Sequence, residues 1–143
     1  ASWADLMVTV FVTEAATAVI AGRLAGRAER LLANQVNMVG RDSAFHMAYC
    51  IGWLKVMAEH EMASLQAAVA TRLPLALRWV EQSDPSAREA FIEACAPLAE
   101  LAGSPLPAAA ARPSQWDAQL ARHQALPDGL WNIVRFKDAE LLA

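Results

Sequence analysis

Cysteine is scarce. Cys50 and Cys95 are the only two in 143 residues, with no Cys-x-x-Cys pair and no histidine at zinc-finger spacing, which argues against a disulfide framework and a structural zinc site. Two isolated thiols in helical surroundings read as buried and reduced, and with no secretory signal in view the expected compartment is the cytoplasm. Positive charge is also short: 12 Lys and Arg against 15 Asp and Glu give a net charge of -3 and a pI near 5.6. That leaves no basic surplus to neutralise phosphates, so no nucleic-acid partner is expected. Long apolar runs are missing too, because Glu14, Arg23, Arg27, Glu29 and Arg30 interrupt the first apolar stretch; a membrane span of ~20 apolar residues is not expected. Nothing alternates as a strand, and no nucleophile elbow, phosphate loop or dinucleotide fingerprint occurs.

What is abundant is apolar surface. Hydrophobic residues make up 56% of the chain and charged residues 19%, with a positive mean hydropathy of +0.24. The length is one domain's worth and can bury a real core. So greasy a composition predicts that some apolar surface faces another subunit. The chain opens without Met on a helix cap, and it is read as a processed or truncated piece.

The apolar residues fall at helical spacing. Ser2 and Asp5 form a capping pair, and Trp3, Leu6, Met7, Val10, Phe11, Ala18 and Ile20 follow, predicting a helix over about 3–33 that ends in the polar stretch Asn34 to Gly40. Asp42 is a natural N-cap for a second helix over about 42–71, carrying Phe45, His46, Tyr49, Cys50, Trp53, Leu54, Val56 and Met57. Pro74 starts a third, about 74–82, and Ser83-Asp84-Pro85 a fourth, about 85–102, which Gly103 stops. Together these make residues 1–102 a helical bundle segment. The prolines and alanines of 103–113 suit a connector. Residues 114–143 read as a C-terminal helical extension, with helices at Gln115 to Gln124 and Gly129 to Leu142.

Three residues stand out chemically. Glu14 lies mid-helix among Val10, Phe11, Thr17 and Ala18, where an ionised, unpaired carboxylate would cost several kcal/mol. It therefore needs a cation, a metal or a proton, unless it is hydrogen-bonded or on the rim. Ser43 and His46, three apart, share one helical face. Glu-x-x-His at this offset is how di-iron carboxylate bundles present two of their ligands, but here a serine, a poor iron ligand, stands in place of the carboxylate. A core histidine is the competing view of His46. Glu59-His60-Glu61 points around the helix in different directions and reads as a solvated face, and His123 has no partner at useful spacing.

The order of these pieces carries a family resemblance. "FVTEAATAVIAGRLAGRAER", a polar turn, then D-S-x-x-H continuing "HMAYCIGWLKVMAEHEMASLQAAVATRLPLALRWV" resembles the second half of the bacterial multicomponent monooxygenase hydroxylases, which include the methane, toluene and phenol monooxygenases. The resemblance covers Trp3 to Glu81. It implies an all-α, ferritin-like (ribonucleotide-reductase-like) helical bundle, of which this chain is part. In the catalytic α subunits of that family the second helix opens D-E-x-R-H. Glu14 then falls on a glutamate ligand, His46 on the ligand histidine and Ser43 on the bridging glutamate. Phe45 replaces the arginine, and Asp42 keeps an aspartate that supports a ligand histidine from behind.

At most two of about six protein ligands of a di-iron centre are present. The resemblance therefore implies the non-catalytic β subunit of the toluene or phenol branch, specifically its C-terminal half. On that basis the chain has no catalytic residue, no metal and no cofactor of its own; Glu14, Ser43 and His46 are degenerate ligand positions. The di-iron centre lies in the partner α subunit. The implied partners are that α subunit, a small γ subunit and a second β subunit in an assembly of two copies each, with an NADH reductase and a regulatory protein in the wider system. Trp53, Trp79 and the Pro-rich connector are candidate contacts, with a core role for the tryptophans the alternative. Two other functions compete: a catalytic di-iron oxygenase subunit whose remaining ligands lie outside this chain, and an unrelated all-α interaction module.

Overall fold

The computed structural model describes residues 2–26, 30–107, 116–117 and 122–123. Four α-helices dominate them: α1 Trp3–Ala25, α2 Arg30–His60, α3 Met62–Ser83 and α4 Arg88–Ala102, with a 3-10 turn at Pro85–Ala87 leading into α4. The chain divides into two compact units, Ala1–Ala111 and Arg112–Ala143. The first holds all four helices and is all-α. In the second, β1 (Trp116–Asp117) pairs antiparallel with β2 (Arg122–His123). Those four residues fall within the helix expected over Gln115 to Gln124, whose other residues lie outside the described ones. The helix expected over Gly129 to Leu142, and residues 108–113 of the connector, lie outside the described residues.

The helix count within 1–102 agrees with the sequence expectation, but four boundaries do not. α1 stops at Ala25, where Gly26 caps it, eight residues short of the expected end at Ala33. α2 begins at Arg30 and runs straight through Asn34 to Gly40, the segment expected to be a turn, so Asp42 sits mid-helix rather than at a cap. The physical cause is a burial stripe. Ala33, Val36, Gly40, Ser43, Met47, Cys50, Leu54 and Met57, spaced alternately three and four residues apart, are buried or half-buried without a gap. Helix propensity costs of up to ~1 kcal/mol per Asn or Gly are outweighed by a continuous seam of this kind.

α2 ends at His60 because Glu61 leaves helical geometry (φ −136°, ψ 40°), whereas the second helix was expected to run on to 71. α3 then passes through Pro74, which was expected to start a helix. An interior proline costs ~3 kcal/mol, yet Leu65, Val69, Leu73, Leu77 and Val80 form an unbroken buried stripe across it. At ~1.5–3 kcal/mol for each fully buried side chain, that stripe exceeds the proline penalty. α4 carries Pro97 on the same terms, with Phe91, Cys95, Leu98 and Ala102 buried.

The other expected caps, at Ser2, Asp84 and Gly103, are in place. Ser2 Oγ accepts from the Asp5 N–H at 3.1 Å. Asp84 caps the 3-10 turn by accepting from the Ser86 N–H. Gly103 adopts the left-handed conformation (φ 58°), and its N–H donates to the Glu100 carbonyl while Ser104 N–H donates to that of Ala99. This double bond pattern closes a helix with glycine just past its end.

α1 is the central helix, packed against α2, α3 and α4. Ala4, Val8, Phe11, Val12, Ala15 and Ala16 bury it on more than one side. Its best 18-residue window has a mean hydropathy of 1.6, and 44% of that window is buried. By length and composition α1 could cross a membrane, despite the charges that argued against it; a central core helix passes the same test.

A bidentate ion pair ties α1 to α3. Arg72 Nε and Nη2 donate to the two carboxylate oxygens of Asp5, each at 2.7 Å. These hydrogen bonds hold the Asp5 carboxyl below the usual carboxylate range and push Arg72 up. A carboxylate depressed in the folded state stabilises fully above its unfolded pKa of about 3.9 and loses that contribution as pH falls through the lower folded value. Arg72→Met should therefore cost about 1 kcal/mol near neutrality in urea unfolding, as suits a partly exposed pair. The difference from the parent should shrink as pH falls below about 3.9 and through the lower folded value.

Candidate functional site

The only buried polar side chain among the described residues is that of Ser43, 2% exposed. It lies on the α2 seam opposite Glu14 of α1. Ser43 Oγ donates to Glu14 Oε2 at 2.7 Å, and His46 Nδ1 meets Glu14 Oε1 at 2.8 Å. One carboxylate thus spans both members of the Ser-x-x-His pair, one oxygen to each. An ionised carboxylate only accepts, so His46 carries a proton on Nδ1 in this contact.

This arrangement answers what Glu14 needs in an apolar helix. Its partners are a hydroxyl and an imidazole, brought within reach because α1 and α2 press together along the Ser43–Cys50–Leu54 seam. The side chain of Glu14 is 24% exposed and that of His46 52%, so the site sits at the edge of the seam rather than at its bottom. Phe45 places its ring edge toward the His46 imidazole, centroids 6.1 Å apart.

Asp42 lies one turn before His46 on the same helix and is exposed. The hydrogen bond of His46 Nδ1 goes to Glu14. Glu59, His60 and Glu61 are all exposed at the α2–α3 break. His123 falls in β2, in the second unit.

One neighbour escaped sequence reasoning as part of the site. Cys50 lies a turn beyond His46 on the seam and is fully buried; burial pushes its thiol up, and the negative charge of Glu14 adds to the shift. The spacing of Ser43, His46 and Cys50 at three and then four residues was the available signal. Cys95, in the core of α4, is pushed up to about 12 by burial. At pH 8 such a group is thiolate in only about one molecule in ten thousand. Both thiols should therefore ignore Ellman's reagent in the native protein at about pH 8 and react fully once urea unfolds it.

As a donor set, the site offers one carboxylate, one imidazole and one hydroxyl, with both carboxylate oxygens already engaged. Among the described residues no group of three His, Cys, Asp or Glu side chains stands ready to hold a metal ion. The residues present do not fit a di-iron centre, which takes about six protein ligands, four of them carboxylates. What the arrangement does chemically is clamp two long helices with a charge-assisted hydrogen bond and a buried hydroxyl.

No protein-family model, no curated protein and no solved structure matches this chain.

Proposed function

We propose that this chain is a structural, non-catalytic β subunit, in its C-terminal half, of a di-iron phenol or toluene monooxygenase hydroxylase of ferritin-like fold. In this role it braces the catalytic α subunit within a cytoplasmic assembly of two α, two β and two γ subunits. Oxygen activation and hydroxylation take place at the di-iron centre in α, with electrons from NADH delivered by a reductase and a regulatory protein bound to the hydroxylase.

The observation that supports this best is the contact of Glu14 with both Ser43 and His46. It sets a mid-helix carboxylate against a Ser-x-x-His pair on the neighbouring helix, at the offset where di-iron bundles use Glu-x-x-His. A hydroxyl at the bridging position satisfies the glutamate by hydrogen bonding, where a second carboxylate would require a metal. The side chains are then what remains of a ligand framework turned into a helix clamp.

The test is co-expression with a candidate α subunit that carries two complete Glu-x-x-His motifs, followed by purification on a tag on this chain and metal analysis. The expected result is a stable complex whose iron content is unchanged by Glu14→Ala. Stoichiometric iron lost on Glu14→Ala would refute the proposal and favour a catalytic di-iron subunit completed by ligands from outside. Failure of any α-type chain to co-purify would favour an unrelated interaction module.

A further inference from the structure

The outer face of α2, flanked at one edge by Trp3 of α1, is rich in large apolar side chains that are exposed among the described residues. Phe45, Tyr49 and Trp53 are 72%, 58% and 42% exposed, Val56 is exposed beside them, and Trp3 of α1 extends the patch by an edge-on contact with Trp53. A fully exposed aromatic side chain presents ~150–250 Å², and these four are roughly half exposed. With Leu6, also exposed, the patch comes to roughly 600 Å², about three quarters of the ~800 Å² per partner that a stable interface buries, and the exposed Asp42 separates it from Met38. That is the upper end of what an ordinary monomer leaves open.

Gly52 lies in the middle of the stripe, and a Cβ built on it meets nothing within 4 Å. A mid-helix glycine costs ~1 kcal/mol relative to alanine, and no neighbour in this unit calls for it. Without a side chain at 52 the stripe has a depression there. The residues at 49, 52, 53 and 56 stand at the i, i+3, i+4, i+7 offsets that form the hole for a knob from a facing helix, and Phe45 is the exposed knob on the same stripe.

We infer that this face pairs with the same face of a second copy, the two α2 helices antiparallel and Tyr49 beside the two-fold axis. In that register Phe45 of each copy enters the hole formed by Tyr49, Gly52, Trp53 and Val56 of the other, so one patch serves both sides as two-fold symmetry demands. Charge selects the direction. Arg41 and Glu59, both exposed, flank the two ends of the stripe. Antiparallel pairing brings Arg41 to within about 3 Å along the axis of the opposite Glu59, whereas parallel pairing sets Arg41 on Arg41 and Glu59 on Glu59. The inference rests on exposure, Gly52 and charge, and holds whether or not the β-subunit proposal does.

The test uses the full chain in light scattering coupled to size-exclusion chromatography. The wild type should run at twice the 15.4 kDa chain mass. Phe45→Glu should raise the dissociation constant at least ~30-fold, as befits a central anchor, with unchanged helical circular dichroism because Phe45 is exposed. Arg41→Glu should weaken the dimer, and adding Glu59→Arg should restore it. Tyr49→Cys should form a disulfide-linked dimer on oxidation, while Glu59→Cys should not; the native thiols are buried and do not compete. A monodisperse wild type at one chain mass overturns the inference. So does a dimer that survives Phe45→Glu and fails to cross-link through Tyr49→Cys. Aggregation without a discrete dimer also counts against it, and marks the face as built for a different chain.

Discussion

Ser43→Glu should be the most damaging single change at the α1–α2 seam, lowering stability at neutral pH by about 3–5 kcal/mol, the cost of an uncompensated charge in a buried position. Ser43 is 2% exposed and donates its hydroxyl hydrogen to Glu14. A glutamate in its place removes that donor and sets a second carboxylate against the first, with one His46 imidazole to share between them. Like charges at this range cannot both ionise without cost, so one carboxyl takes up a proton more readily than an isolated one. The sign of the pH dependence follows. The unfolded mutant has ordinary carboxyls and the folded one a raised pKa, so the folded state binds more protons. Destabilisation relative to wild type should therefore shrink as pH falls from 7 toward 5. Urea titrations at the two pH values measure this. A loss within about 1 kcal/mol, independent of pH, would mean that water reaches the seam and that Ser43 is not the closed end of the clamp.

Phe11→Ala should cost about 3–5 kcal/mol, the range for emptying a buried phenylalanine site. The side chain is 2% exposed on α1, the helix against which α2, α3 and α4 all pack. Relaxation around the cavity would have to move several helices at once, so little of the lost volume is expected to collapse. For a domain of this size that is a large share of the 5–15 kcal/mol total. Thermal or urea unfolding followed by circular dichroism at 222 nm gives the number. A cost below about 1.5 kcal/mol would mean that α1 is not the centre of the core.

Much of the site was visible in the sequence because it depends on short-range periodicity. Ser43 and His46 share a face through their offset of three, and Glu14 is conspicuous as a charge in an apolar helix. Their meeting across two helices follows once both faces are turned inward. Nothing in the sequence marks the choice of Asp5 for Arg72, 67 residues away, over the reciprocal capping bond its position beside Ser2 suggests. The two-point guanidinium contact is stronger than a single backbone hydrogen bond, but it exists only once α3 lies along α1.

The sequence by itself determined the all-helical unit, the Ser2 and Asp84 caps, the stop at Gly103 and the pairing of Ser43 with His46 on one face. These are local effects, set by hydrogen bonds and side-chain directions within a turn or two. The tertiary structure alone decided where the long helices break. Asn34 to Gly40 and Pro74 are signals against helix worth ~1–3 kcal/mol each, and each is overruled because a buried stripe continues on both sides of it. The helices end instead at Gly26, which caps α1, and at Glu61, both exposed residues. Burial of several side chains along a seam outweighs a local preference of that size, and burial is fixed only when the helices meet.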